Sequence, residues 1–190
     1  MTRFIEQDLF FDNSYYFLAM LTAVASTPVF AQNTITFNGK IYDQACTVQV
    51  NGSTDTTIDL GNYSKERIAE KGATTDYVPF TVSLVSCPEA GTGVPTQAMF
   101  RFHGATDDSN PTYFKNADEG SETGAAGVGI SIQNASHSDV TDNTDDAAVN
   151  LPTDGSKADF IYYAAMANDG SATVTGGDVS TQVTYTVSYQ

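Results

Sequence analysis

The chain has 190 residues, of which 41% are hydrophobic, enough to build one core without structural metal or several disulfides. Acidic residues number 23 against 8 Lys and Arg, a net charge of −15, so the clustered cations that nucleic acid requires are missing and docking onto anionic lipid is disfavoured. The same charge keeps an exported protein soluble.

The first feature in chain order is the apolar run at residues 15–25, "YYFLAMLTAVA", which is of signal-peptide length and too short to span a bilayer. Small residues allow cleavage after Ala31, which starts the mature chain at Gln32, or alternatively after Ala25. Residues 1–31 are therefore expected to be an export segment and residues 32–190 a single domain. Ahead of the apolar run Glu6, Asp8 and Asp12 stand against Arg3, more acidic than export signals usually are; an N-terminal helix is the alternative reading.

From residue 32 onward the hydrophobic period is close to 2, the signal of half-buried strands. Asn33, Ile35, Phe37, Gly39 and Ile41 fall in the first alternating stretch, "NTITFNGKI". Val78, Phe80, Val82 and Leu84 share a face, as do Ala98, Phe100 and Phe102, and Val128, Ile130 and Ile132; residues 158–166 alternate as well. Only 64–72, "SKERIAEKG", reads as a helix, opening on Ser64 and stopping at Gly72. Residues 103–114 and 133–146 are rich in Gly, Asn, Asp and Ser and read as turns. Several strands at short spacing predict an all-β antiparallel sandwich.

Chemistry-bearing groups are sparse. Cys46 and Cys87 are an even number in an exported chain and predict one disulfide, since no CxxC pair or neighbouring His offers a zinc set. His103 and His137 sit beside turns without ligands at metal spacing. Asp139, Asp142, Asp145 and Asp146 do not follow the calcium-loop spacing and lack its glycine and terminal Glu, so they read as a solvated loop. There is no nucleophile elbow and no HExxH, and Gly124, Gly127 and Gly129 lead into a strand and not a helix. No cofactor and no enzymatic activity are expected.

The two ends complement one another. Val179, Thr181, Val183, Tyr185, Val187 and Tyr189 alternate up to the penultimate residue, and no stretch follows that could form a next strand. An edge of this kind beside an open apolar groove is expected to be unstable alone. The segment at 32–41 can supply the missing strand by backbone pairing, with Ile35 and Phe37 contributing roughly 1.5–3 kcal/mol each on burial. A head-to-tail exchange of this kind does not close, so it builds a filament.

"TITFNGKIYDQACTV", "IDLGNYSKERIAEKGATT", "PFTVSLVSC", "GVGISI" and the C-terminal alternation, in that order, resemble the type 1-like fimbrial subunits (pilins) of the chaperone–usher pathway. Gly177, fourteen residues from the C-terminus, and Tyr189 match positions of that family. The resemblance implies an incomplete immunoglobulin-like sandwich lacking its last strand and completed by donor-strand exchange. It implies that Asn33, Ile35, Phe37, Gly39 and Ile41 form the donor strand. Gly177, Val179, Thr181, Val183, Tyr185, Val187 and Tyr189 then form the acceptor groove and chaperone-recognition strand. It further implies a Cys46–Cys87 bridge between the first two strands and, as partners, other pilin subunits, a periplasmic chaperone and an outer-membrane usher. The implied function is a structural subunit of a surface fimbria supporting adhesion; a minor adaptor, or an adhesin subunit recognising a host glycan or protein, is the alternative.

Overall fold

The computed structural model describes Gly39, Ile41, residues 45–54 and residues 56–190. The expected export segment, and Asn33, Ile35 and Phe37 of the expected donor strand, lie outside the described residues. The fold is that of the unit Lys40–Gln190.

Among the described residues eight strands follow in order: β1 (Thr47–Val50), β2 (Val78–Val85), β3 (Gln97–His103), β4 (Phe114–Lys115), β5 (Val128–Asn134), β6 (Val149–Asn150), β7 (Ala158–Asn168) and β8 (Thr184–Tyr189). They form a five-stranded sheet in the order β1-β2-β7-β5-β4 and a three-stranded sheet in the order β6-β3-β8. Every ladder is antiparallel. Among the described residues this order leaves β1 and β8 each with a single neighbour.

Alternation drives the core. Phe80, Val82 and Leu84 of β2 and Phe160, Tyr162 and Ala164 of β7 bury their side chains in one cluster with Ala98, Phe100 and Phe102 of β3. The two sheets meet through edge-to-face rings, Phe100 on Phe160 at 4.7 Å and Phe102 on Tyr162 at 5.0 Å between centroids. Such pairs add to the burial itself.

β5 departs from the half-buried expectation, because Gly129 and Ser131 on its outer face are buried too. Tyr113 packs directly on Gly129, and the hydroxyls of Tyr77 and Ser131 lie 3.1 Å apart. β7 likewise alternates only as far as Ala164, after which Ala165 and Ala167 are both buried. The segment at 72–75 covers this end: Thr74 bridges Ala167, and the Gly72 amide donates to the Asn168 carbonyl at 3.0 Å. Small residues on an outer face thus mark where other segments lie on the sheet.

The expected helix at 64–72 shrinks to one 3-10 turn, Lys65–Ile68. Only Ile68 of this turn is buried, and Ser64 makes no side-chain cap, so neither an apolar stripe nor a cap sustains a longer helix. Gly72 does stop the segment, in the left-handed region at φ 77°.

The acidic stretch at 133–148 is not a free loop. The amides of Asn143 and Asp146 donate to the carbonyls of Phe102 and Phe100, and Arg101 bridges Asp145, so the stretch extends β6 as an irregular edge of β3. Its acids are each engaged. Asp145 takes both guanidinium contacts of Arg101 at 2.9 and 2.7 Å; Asp139 accepts from Gln133. Asp146 accepts from Asn134 and from the Tyr162 hydroxyl at 3.0 Å. Charges along this rim also discourage pairing with another chain.

Asp142 accepts from the Gly104 amide and sits 2.9 Å from His103 Nδ1, and these hydrogen bonds, the amide's first, hold its carboxyl below the usual 3.8. A carboxyl lowered in the folded state stabilises the fold above its unfolded value, and this contribution is lost as the pH falls through the lowered one. Asp142→Asn is therefore expected to flatten the acid limb of a stability–pH curve below about pH 4, measured by urea midpoints. An unchanged acid limb would place the acid sensitivity elsewhere.

Candidate strand-accepting seam

The site is the side of the sandwich on which both sheets end. Among the described residues β1 pairs only with β2 and β8 only with β3, and Cys46, next to β1, packs on the same core margin as Tyr189 of β8, its backbone near the Tyr189 hydroxyl. The two unpaired edges therefore lie on the same side. Burial pushes the Tyr189 hydroxyl above its usual pKa, offset in part by the nearby Cys46 backbone.

One lip is the C-terminal strand. Val179, Thr181, Val183, Tyr185, Val187 and Tyr189 are all half-buried, while Ser180, Gln182, Thr184 and Thr186 are exposed. The alternation thus faces the core, as the sequence predicts, yet no inward residue reaches full burial. Val179, Val183, Tyr185, Val187 and Tyr189 pack on the main core from its margin. Half-burial along a whole apolar face is what a missing neighbour strand leaves behind.

The strand is shorter than expected. Its ladder with β3 runs from Thr184 to Tyr189 and stops where β3 itself ends, at His103. The Ser180 carbonyl accepts from the Ala117 amide at 2.8 Å, and the Asp178 carbonyl from the Ala125 amide at 3.0 Å, so other loops take hold of this part of the lip. Gly177 is exposed and not an inward groove residue. Its backbone lies so close to Gly124 and Ala125 that a Cβ would come within 2.5 Å of main-chain atoms. Gly177 is thus a close-approach residue.

The other lip was not legible in the sequence as part of the site. After β1 the chain runs through 56–60, where Ile58 and Leu60 pack half-buried on the same core. Among the described residues, 56–63 makes no backbone hydrogen bond to another segment. The alternation of Ile58 and Leu60 is the signal that could have pointed to it. No charged side chain stands among the inward residues of either lip, so the seam suits an apolar strand and not an ionic ligand.

Cys46 and Cys87 form the disulfide. Cys46 directly precedes β1 and Cys87 follows β2 by two residues, with Ser86 between at φ 54°. The bridge ties the β1 lip to the sheet. Of the expected donor residues, Gly39 is exposed and Ile41 is 95% exposed, so Ile41 takes no part in the core of its own domain.

The two antiparallel sheets form an immunoglobulin-like sandwich with an apolar seam along one side. The model of the family described as fimbrial protein matches residues 35–190. The major fimbrial subunit SMF-1 of Stenotrophomonas maltophilia is 31% identical over 178 residues, covering 90% of this chain and 99% of that protein. The F17 fimbrial protein of Escherichia coli is 30% identical, covering 92% and 97%. A solved chaperone–usher pilus has a chain that superposes with a TM-score of 0.62 at 26% identity, covering 87% of this chain and all of that one. The chain belongs to the fimbrial protein family, the structural subunits of surface fimbriae. Among the described residues no helix is long and apolar enough to cross a membrane.

Proposed function

We propose that this subunit polymerises by donor-strand exchange, with Asn33, Ile35, Phe37, Gly39 and Ile41 of one copy entering the seam of the next. The observation that carries the reading is the half-buried inward face of 179–189, together with a second lip at 56–60 that has no backbone partner among the described residues. An alternating donor supplies what each lip lacks: backbone partners for the two edges and side chains for the apolar margin. Because the donor of each copy fills a different copy, the contact repeats without closing and yields a fibre.

During export the same seam requires protection, since an open edge beside apolar surface aggregates. A periplasmic chaperone lending a strand, and an outer-membrane usher exchanging it for the next donor, meet that need. Val179 through Tyr189 form the surface such a chaperone reads.

Deleting residues 32–38 tests the reading. The shortened subunit keeps its seam, so it is expected to be captured by a neighbour's donor at the end of a fibre while the fibre grows no further from it. Electron microscopy of cells expressing only this variant should show no fibres. Fibres of ordinary length would reject the assignment of the donor.

A further inference from the structure

We propose that Asn116 is a positioning residue for strand acceptance, its side chain clamping residues 178–180 so that the acceptor lip stays open before a donor arrives. The inference rests on the strand-exchange reading above and adds to it a residue outside the groove.

Asn116 follows β4 and is 1% exposed. Its amide has two donor hydrogens and an oxygen able to accept twice, and every one is used. Nδ2 donates to the carbonyls of Ala125 at 2.9 Å and Asp178 at 3.3 Å. Oδ1 accepts from the amides of Ser180 at 3.0 Å and Asp118 at 3.1 Å. Two carbonyls on one side and two amides on the other allow only one orientation of the side chain. One residue therefore joins the start of the acceptor lip to two neighbouring loops.

Those contacts bracket Val179, the first inward residue of the lip. Val179 packs against both the main core and the small cluster of Ile68, Ala125, Val128 and Val174. Gly177 brings the chain into place, since only a residue without Cβ fits against Thr123, Gly124 and Ala125. The ladder to β3 takes hold only at Thr184. Between clamp and ladder the lip has room on its flank, where Ala105, Lys115, Ala117, Ser180, Thr181 and Gln182 line a hollow of about 330 Å³.

An apolar lip without a partner gains by folding inward and burying Val179 and Val183. That collapse would close the seam to the donor. The clamp opposes it, because moving 178–180 leaves the buried Asn116 amide without two of its partners. Asn116 thus preorganises the seam, and preorganisation is expected to be read in the rate of capture.

The test uses the full chain and a labelled synthetic peptide of residues 32–41, with association followed by fluorescence anisotropy. Asn116→Ala is expected to slow association at least tenfold, with faster amide exchange confined to 178–183. Asn134→Ala is the control. The Asn134 side chain makes three hydrogen bonds, to Asp146, Ser136 and Ser138, against the four of Asn116, but lies at the end of β5 away from the seam. The control is expected to lose stability while keeping association within twofold. Wild-type capture by Asn116→Ala, or equal slowing in Asn134→Ala, overturns the proposal. If Asn116→Ala does not fold, Asn116→Asp, which keeps the two acceptors and loses the two donors, is held to the same criteria. A wild-type chain that never takes up the peptide would instead refute strand exchange itself, a distinguishable result.

Discussion

Adding the 32–41 peptide to the subunit is expected to raise its melting temperature by about 8–16 °C and to suppress self-association. A ligand of the folded state at a thousandfold excess over its Kd contributes about 4 kcal/mol. In a chain of this size each kcal/mol moves Tm by roughly 2–4 °C. The structure supplies the capacity for that gain: six inward positions on one lip, from Val179 to Tyr189, remain only half-buried, and Ile58 and Leu60 on the other lip are no better covered. A peptide with Asp in place of both Ile35 and Phe37 should have no effect, since the seam offers no charged partner. Scanning calorimetry and sedimentation decide the matter. A subunit equally stable and equally dispersed without peptide would show that the fold completes itself.

Removing the disulfide by Cys46→Ser with Cys87→Ser is expected to cost about 4 kcal/mol, from the loop-closure entropy of a bridge spanning 41 residues. The melting temperature should fall by roughly 8–16 °C. The effect should also be uneven. β1 has four residues and a single neighbour, so little besides the bridge and the β2 ladder holds it at the lip. Amide exchange should accelerate first in β1 and in 56–60, and peptide capture should fall more than stability alone predicts. A loss below about 1 kcal/mol in urea titration would mean that packing alone secures β1.

Much of the fold was legible because period-2 alternation is a local property. Phe80, Val82 and Leu84, and Phe100 and Phe102, declare their inward face within one strand, and burial follows it residue by residue. The disulfide could be expected because two cysteines in an exported chain have few other uses. The seam was half legible: the lip from Val179 to Tyr189 alternates without interruption, whereas Ile58 and Leu60 are two residues in a polar stretch. Their role depends on which edge they run beside. The helix expected at 64–72 failed because its pattern came from composition, and only Ile68 finds apolar partners.

What the sequence determined by itself is the longer strands β2, β3, β5, β7 and β8, their inward faces, and the complementarity of an alternating first segment and an alternating last one. What only the tertiary structure decided is where strands break off and which polar residues hold them. β8 starts at Thr184, opposite the last residue of β3, and Asn116, Gly124 and Ala125 hold 177–180 beyond that end; the acidic stretch after β5 becomes an edge because the Phe100 and Phe102 carbonyls lie open to its amides. Those outcomes rest on hydrogen bonds between residues up to 64 positions apart in the chain, and no local pattern encodes such a pairing.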